Sequence, residues 1–211
     1  MKRILLLIGI IVIIVIGGFL IYKNSGKKEI SMPEKVLIGK KIAIIIAFKN
    51  FQDEEYLKTK NVLAAAGAEV ITVSSKAGTA LGAYGGEADV DLLLEDLKVA
   101  DYDAVLFIGG SGATQYLDDE TCHQIAREAV SQNKVLGAIC VGPTILAKAG
   151  VLQAKKATVW SSPMDKSAVR ILEKGGAIYQ ENPVVVDGKI VTGNGPLAVH
   201  KFATSIIELL K

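Results

Sequence analysis

Residues 135–143, Val-Leu-Gly-Ala-Ile-Cys-Val-Gly-Pro, join an apolar run to a cysteine flanked by small residues. The run from 134 to 139 predicts a strand buried on both faces, and a short helix that closes at Gly150 follows it. Small residues around a cysteine at a strand-to-helix junction allow the tight turn called a nucleophile elbow. Such a turn sets the Cys140 sulfur at a helix N-terminus, where amide dipoles lower the pKa of a thiol. A buried structural cysteine is the alternative, because free cysteine packs as a small apolar residue.

Apolar runs and helical stretches alternate on both sides of this junction. Strands separated by helices imply βαβ units and a parallel sheet covered on both faces, which is an α/β fold. An Asp-Gly dipeptide between two apolar runs near the end of the chain predicts a hairpin. The predicted strands are 42–47, 69–74, 90–94, 104–108, 134–139, 183–186 and 189–192; the predicted helices are 53–66, 118–132 and 197–210, and residues 78–86 are predicted to form a glycine-rich loop.

A glycine cluster, Gly109-Gly110-Ser111-Gly112, follows the third of the buried strands. It lacks the third glycine of a dinucleotide fingerprint and the Gly-Lys-Ser/Thr of a phosphate-binding loop. Ligands of open parallel sheets bind beyond the carboxyl ends of the strands, so this cluster, Cys140 and residues 48–55 are expected at one edge. The cluster then has two interpretations: backbone amides that form an oxyanion hole beside Cys140, or a plain tight turn.

Residues 4–22 contain no charge in nineteen positions, and Leu, Ile and Val dominate them. At about 1.5 Å per residue, a helix of this length spans roughly 28 Å, which is close to the hydrocarbon core of a bilayer. We predict a single-pass N-terminal membrane anchor over residues 1–22. A cleaved signal peptide is the alternative, but its apolar region is shorter and the sequence offers no small-x-small cleavage site.

The modest net charge of +2 is the sum of two parts with opposite charge. Eight of the 24 Lys and Arg residues but only two of the 22 Asp and Glu residues lie in 1–41, so this part carries +6 and residues 42–211 carry −4. Residues 23–40 are predicted to form a basic tether, and residues 41–211 the folded domain. Lysines after the anchor favour a cytoplasmic domain, whereas Lys2 and Arg3 favour the opposite orientation. The acidic domain argues against nucleic acid as a partner.

Three motifs in order resemble the DJ-1/PfpI superfamily, which includes the Parkinson-disease deglycase and the archaeal intracellular protease. They are residues 138–143, the Gly109-Gly110 pair after an apolar strand, and the acid within residues 51–55. The resemblance extends from about Lys41 to Lys211 and includes residues 192–196 before the final helix. It implies a flavodoxin-like three-layer sandwich, a homodimer or higher oligomer, and chemistry without a cofactor.

The resemblance also assigns roles within the site. Cys140 would be the nucleophile, and Glu55 matches the family acid whose protonated carboxyl hydrogen-bonds the cysteine sulfur. Burial near a thiolate is expected to raise the pKa of Glu55, whereas Asp53 and Glu54 are expected to be ordinary acids of the first helical turn. The amides of Gly110 and Val141 would hold an oxyanion, and the pocket would include Gly109, Ser111, Trp160, Asn194 and Pro196.

This sequence departs from the family pattern at three positions. Val141 stands where the protease branch has histidine, Trp160 where the deglycase branch has one, and Asn194 replaces the common arginine before Gly-Pro. The chain's two histidines, His123 and His200, match no family position, so a Cys–His dyad for peptide hydrolysis is unsupported. Two cysteines and two histidines without ligand spacing also predict no metal site.

Four functions remain open from the sequence. The first is an enzyme that attacks small reactive carbonyls, or their protein adducts, through Cys140 with Glu55 shuttling a proton. The second is a stress sensor or chaperone in which Cys140 is oxidised to a sulfinate. The third, a membrane-tethered peptidase, is disfavoured by Val141, and the fourth is an inactive interaction module.

Overall fold

In the computed structural model, which describes residues 35–211, the chain builds a seven-stranded central sheet from mostly apolar strands. These strands are β1 (Lys41–Ile45), β3 (Glu69–Ser74), β6 (Leu92–Leu93), β7 (Ala104–Phe107), β8 (Val135–Ile139), β11 (Val184–Asp187) and β12 (Ile190–Gly193). Their order is β11-β12-β8-β7-β1-β3-β6, and every neighbouring pair is parallel except β11 with β12. All residues of β7 and β8 are buried, as expected of strands covered on both faces.

Two small sheets accompany the central one within the described residues. One contains β2 (Lys49–Phe51), β4 (Gly78–Gly82) and β5 (Glu87–Val90), and the other contains β9 (Lys156–Ala157) and β10 (Ile178–Tyr179). Strand β2 of the first small sheet follows β1 directly in the chain, at the carboxyl edge of the central sheet. This edge is where the residues of the site meet.

Helices cover the central sheet in two groups. The helices of residues 35–211 are α1 (Asp53–Ala65), α2 (Glu120–Ser131), α3 (Pro143–Lys148), α4 (Ser167–Lys174) and α5 (Val199–Leu210), with single 3₁₀ turns at 94–96, 99–101, 111–116 and 196–198. Helix α1 packs against α5, which contacts β8 and β12, whereas α2 packs against α3, and α3 against α4. The strand order β3-β1-β7-β8-β12 is the flavodoxin-like arrangement, so the predicted α/β fold with a mostly parallel sheet is confirmed.

The sequence-based elements differ from the structure mainly where glycine is frequent. Residues 78–86, predicted as a loop, contain β4, because its pairing with β5 depends on backbone hydrogen bonds that glycines can make. The predicted edge strand at 90–94 is split between the last residue of β5 and β6. The hairpin turn lies at Gly188-Lys189 rather than Asp187-Gly188, since Asp187 pairs with Ile190. Helix α4 was not predicted.

The N-terminal boundary of the folded unit also differs from the prediction. The compact unit begins at Lys35, six residues before the predicted domain. Leu37 is fully buried, and its amide donates a hydrogen bond to the carbonyl of Ala66 at 2.8 Å. The predicted anchor at 4–22 and the first part of the tether lie outside the described residues. Over residues 35–211, no helix combines the length and apolarity that a membrane span needs.

Gly137 in β8 allows α5 to approach the centre of the sheet. A Cβ atom at this position would lie 2.5 Å from Leu106 Cδ2 and 3.0 Å from Phe202 Cζ. We therefore expect Gly137→Val to lower the free energy of unfolding by roughly 1–3 kcal/mol through overpacking, as measured by urea denaturation. Val186→Thr is the control, because Val186 is 45% exposed on β11 and its replacement should change stability by less than about 0.5 kcal/mol. Equal midpoints for Gly137→Val and the native protein would contradict this packing.

Candidate active site

Cys140 occupies a sharp turn between β8 and α3. Its φ angle is 61°, in the left-handed region that side-chain-bearing residues rarely adopt. The amide of Cys140 donates to the carbonyl of Gly193 at 2.9 Å, and its carbonyl accepts from the amide of Trp160 at 2.8 Å. These two hydrogen bonds connect the turn to Gly193 at the end of β12 and to Trp160, and they hold the strained backbone in place. The thiol lies at the edge of the sheet, where it lines a cavity.

Glu55 lies in the first turn of α1, directly behind the thiol. The side chain of Gln52 caps this helix, with Oε1 accepting from the amide of Glu55 at 2.8 Å. The Glu55 side chain is fully buried, and its Oε2 accepts from the amide of Gly109 at 3.1 Å. Its other oxygen, Oε1, has no hydrogen-bond partner of ordinary geometry in the described part of the chain. Because Oε2 accepts from the Gly109 amide, Oε1 is the oxygen on which a protonated Glu55 would carry its hydrogen.

Gly109 explains why thiol and carboxyl can share this space. A Cβ atom on Gly109 would overlap Cys140 Cβ and lie 2.8 Å from Glu55 Oε2 and 3.0 Å from Cys140 Sγ. No larger residue fits at position 109 while both side chains keep their places. The glycine after β7 thus brings together groups from α1 and from the end of β8.

Burial raises the pKa of Glu55 to about 8 from its ordinary 4.5, while the nearby Cys140 thiol and the Gly109 amide lower it less. Glu55 therefore carries its proton at neutral pH, as the sequence predicts. The expected low pKa of Cys140 is wrong. Burial, followed by the charge of Glu55, raises the pKa of this thiol to about 12 and outweighs the amides of Gly110 and Val141, which lower it. Glu55 contributes to the raised pKa of Cys140 through its negative charge. This contribution is present only when Glu55 is ionised, and Glu55 is mostly neutral below about pH 8.

A cavity of about 350 Å³ opens in front of the thiol. Among the residues predicted for the site, Cys140, Gly110, Val141, Ser111, Trp160 and Pro196 line it. Gly109 lies behind the thiol, where it holds Glu55. Asn194 is not part of the cavity wall; its amide donates to the carbonyl of Pro183 at 3.0 Å and thus belongs to the end of the β11–β12 hairpin.

The sequence did not identify four residues of the cavity wall: Gln52, Ala83, Tyr84 and Thr114. Ala83 and Tyr84 come from the glycine-rich segment after β4, which carries no signal of its own for a site. The capping role of Gln52 could have been predicted from the sequence, because an amide residue directly before an acidic first turn is a helix-capping signal.

Asp53 has a role that differs from the predicted one. It is buried, and its carboxylate accepts hydrogen bonds from the amides of Tyr84 at 3.0 Å and Gly86 at 2.5 Å. Side chains at Gly82 or Gly86 would overlap this carboxylate. The segment 82–86 therefore wraps around Asp53, and this fixes Tyr84 at the edge of the cavity. Glu54, in contrast, is exposed and pairs with Lys58 at 2.8 Å, as an ordinary first-turn acid.

Neither histidine of the chain lines the cavity. The Nε2 atom of His123 lies 2.9 Å from the carbonyl oxygen of Leu117, on α2, and His200 is exposed on α5. The second cysteine, Cys122, is fully buried on α2, where burial raises the pKa of its thiol, and it forms no disulfide. Over residues 35–211, no group of three or more His, Cys, Asp or Glu side chains is placed to hold a metal ion.

A strained cysteine after a central strand, a buried acid beside it and backbone amides around the sulfur define a family of cysteine proteins. Residues 40–209 match the DJ-1/PfpI family, and the chain belongs to this family.

Relatives differ in how much of the chain they share. The uncharacterized protein MJ0967 of Methanocaldococcus jannaschii is 33% identical over 100% of this chain and 98% of its own length. A deglycase of Pyrococcus abyssi is 29% identical over 80% of this chain and 98% of its own. The glutathione-independent glyoxalase DJR-1.2 of Caenorhabditis elegans is 27% identical over 82% of this chain and 89% of its own. The crystal structure of a ThiJ/PfpI domain protein of Brachyspira murdochii, 33% identical, superposes with a TM-score of 0.77 over 82% of this chain and 98% of that one.

The raised pKa of Glu55 makes stability depend on pH. Between pH 4.5 and about 8 the folded state keeps a proton that the unfolded state has lost, so the free energy of unfolding falls as pH rises through this range. We expect Glu55→Gln to remove a fall on the order of 3 kcal/mol between pH 5 and pH 8, measured by urea denaturation at both values. Glu54→Gln, a change at the exposed neighbour, should keep the native pH dependence. Parallel profiles for Glu55→Gln and the native protein would disprove the raised pKa.

Proposed function

We propose that this protein is a cofactor-free enzyme that acts on small reactive carbonyls, or on their adducts with proteins, in a glyoxalase- or deglycase-type reaction. The observation that carries the proposal is the buried Cys140 thiol beside the Glu55 carboxyl, with the amides of Gly110 and Val141 acting on the sulfur. The deglycase and the glyoxalase among the relatives support the substrate class.

The first step forms a covalent hemithioacetal. Glu55, in its ionised form, takes the proton from Cys140 while Sγ attacks the aldehyde carbon. The C–S bond forms, the π electrons of the carbonyl move to its oxygen, and the amides of Gly110 and Val141 donate hydrogen bonds to that oxygen. Glu55 then gives the proton to the oxygen. With a pKa near 8, Glu55 is able both to accept and to return a proton near neutral pH.

With methylglyoxal, the remaining steps are an internal oxidation and reduction followed by hydrolysis. The aldehyde carbon loses its hydrogen as a proton to Glu55, and Glu55 returns a proton to the neighbouring ketone carbon. The proton of the hemithioacetal hydroxyl moves to the ketone oxygen, and the hemithioacetal thereby becomes a lactoyl thioester. Water then cleaves the C–S bond and releases lactate and the free thiol. The aldehyde carbon is oxidised and the ketone carbon reduced, so no external oxidant, reductant or cofactor is required.

The same geometry argues against peptide hydrolysis. Expulsion of an amine from a peptide requires a strong general acid, which cysteine peptidases supply with histidine. Here Val141 follows the nucleophile, and both histidines of the chain lie away from the cavity. Carbonyl addition needs only a proton that moves between sulfur and oxygen, and Glu55 is sufficient for it.

We expect Cys140→Ala in the full-length protein to reduce lactate formation from methylglyoxal by roughly a hundred-fold or more, because no other thiol lines the cavity. Lactate is measured over time by proton NMR. Cys122→Ala is the matched control, since Cys122 is buried on α2 and does not line the cavity. Equal rates for Cys140→Ala and the native protein would refute the proposed function.

We also propose that residues 4–22 hold this enzyme at a membrane, with the folded domain in the cytoplasm and two or more copies assembled. The nineteen uncharged residues support the anchor, and the lysines that follow support the orientation. The family resemblance supports the oligomer.

The anchor is tested by charge insertion. Replacing both Ile10 and Ile13 with lysine should release the protein into the supernatant after alkaline carbonate extraction of cell membranes, because each charge at mid-helix costs roughly 3 kcal/mol. Replacement of the same two residues with leucine keeps the segment apolar and should leave the protein in the membrane pellet. Release of the native protein by carbonate would exclude an integral anchor.

A further inference from the structure

A second cavity of about 350 Å³ adjoins the one in front of Cys140. The two cavities share three lining residues, Gln52, Tyr84 and Pro196, so they form two parts of one groove. The second part is completed by Asp53 and Glu54 from the first turn of α1. The reacting carbon of methylglyoxal must lie at the sulfur, and a three-carbon molecule held there leaves the second cavity empty.

The side chains of the second cavity favour an uncharged organic group. The Asp53 carboxylate is already occupied by the amides of Tyr84 and Gly86, and Glu54 pairs with Lys58. Gln52, which lines the groove, uses its carbonyl oxygen to cap α1, so its side-chain NH2 group is not needed for the cap. The ring of Tyr84 and the ring of Pro196 supply apolar surface on the boundary between the two cavities.

Tyr84 is positioned for contact with a ligand rather than with the protein core. Its side chain is 82% exposed, although the backbone that carries it is fixed through the buried Asp53 carboxylate and by a hydrogen bond from the Gly82 amide to the Gly86 carbonyl at 2.7 Å. A tyrosine side chain has only two rotatable bonds, so it loses less conformational freedom than a long side chain does when a ligand covers it. The exposed ring is thus suited to bind a flat or apolar group.

We propose that the cavity bounded by Gln52, Tyr84 and Pro196 is a second substrate subsite that binds the uncharged, aromatic or apolar group attached to the reacting carbonyl, with Tyr84 as its specificity-determining residue. This inference deepens the proposed function by naming the larger carbonyl compounds that the site prefers over methylglyoxal. The reacting carbonyl stays at Cys140, and the attached group extends past Tyr84.

The test compares phenylglyoxal with methylglyoxal as substrates of the full-length protein. The native protein should show the higher kcat/KM for phenylglyoxal. In Tyr84→Ala, the ratio of kcat/KM for phenylglyoxal to that for methylglyoxal should fall roughly ten-fold, mainly through a higher KM for phenylglyoxal. Tyr84→Phe keeps the ring and should keep the native ratio, and Tyr179→Ala, at a tyrosine on β10 that lines neither cavity, controls for the general loss of an aromatic residue. An unchanged ratio in Tyr84→Ala overturns the subsite.

A binding measurement separates this inference from the proposed reaction. Trp160 is the only tryptophan of the chain and lines the Cys140 cavity, so its fluorescence reports occupancy without turnover. Benzylacetone, an unreactive ketone with an attached phenyl group, should quench this fluorescence with a Kd that rises roughly ten-fold in Tyr84→Ala but not in Tyr84→Phe. If neither glyoxal is consumed but this shift is observed, the proposed reaction fails and the subsite stands. Equal Kd values in the native protein and Tyr84→Ala overturn the subsite whatever the activity.

Discussion

The burial of a thiol and a carboxyl against each other is the constraint on which the rest of this structure depends. Two acidic groups in a space with little water disfavour the state in which both are ionised, so the pair keeps at least one proton over the physiological range. The fold meets this constraint with three chain segments that end at one edge: the first turn of α1 supplies Glu55, the end of β7 supplies the Gly109 amide, and the turn after β8 supplies Cys140. In its singly protonated form the pair can pass that proton between oxygen and sulfur, which is what the proposed carbonyl addition requires, because the addition ends with the same number of protons as it began.

The parts of the fold that follow from burial were accessible from the sequence. Apolar runs indicated the positions of β1, β7 and β8, because strands that are covered on both faces consist of consecutive apolar residues without polar alternation. Cys140 and Glu55 were identified from motifs with a definite order along the chain. The segment 78–86 was missed as a strand because glycine carries no side-chain pattern, and its pairing is decided by a partner strand that only the fold brings near. Because this segment was predicted to be a loop, the sequence did not predict that Tyr84 lines the cavity.

The electrostatic prediction for Cys140 shows a different limit. Sequence reasoning counted the favourable amides of the turn, and these are present, but it could not weigh them against burial and against the charge of a residue 85 positions away in the chain. Asp53 is a second residue whose surroundings are determined by a segment distant in the chain. Its place at the start of a helix predicted an ordinary first-turn acid. The loop of residues 82–86, which follows it by about thirty residues, instead donates backbone hydrogen bonds to its carboxylate.

The left-handed backbone of Cys140 bears on how this protein can change over evolutionary time. A residue with a side chain in that conformation costs the folded state roughly 1–3 kcal/mol, which glycine at the same position would recover. Selection for stability alone would therefore drive the cysteine out of the turn, and its presence means that the fold carries this cost in favour of the thiol's orientation. A descendant that no longer needed a thiol at this position could replace Cys140 with glycine and relax the turn.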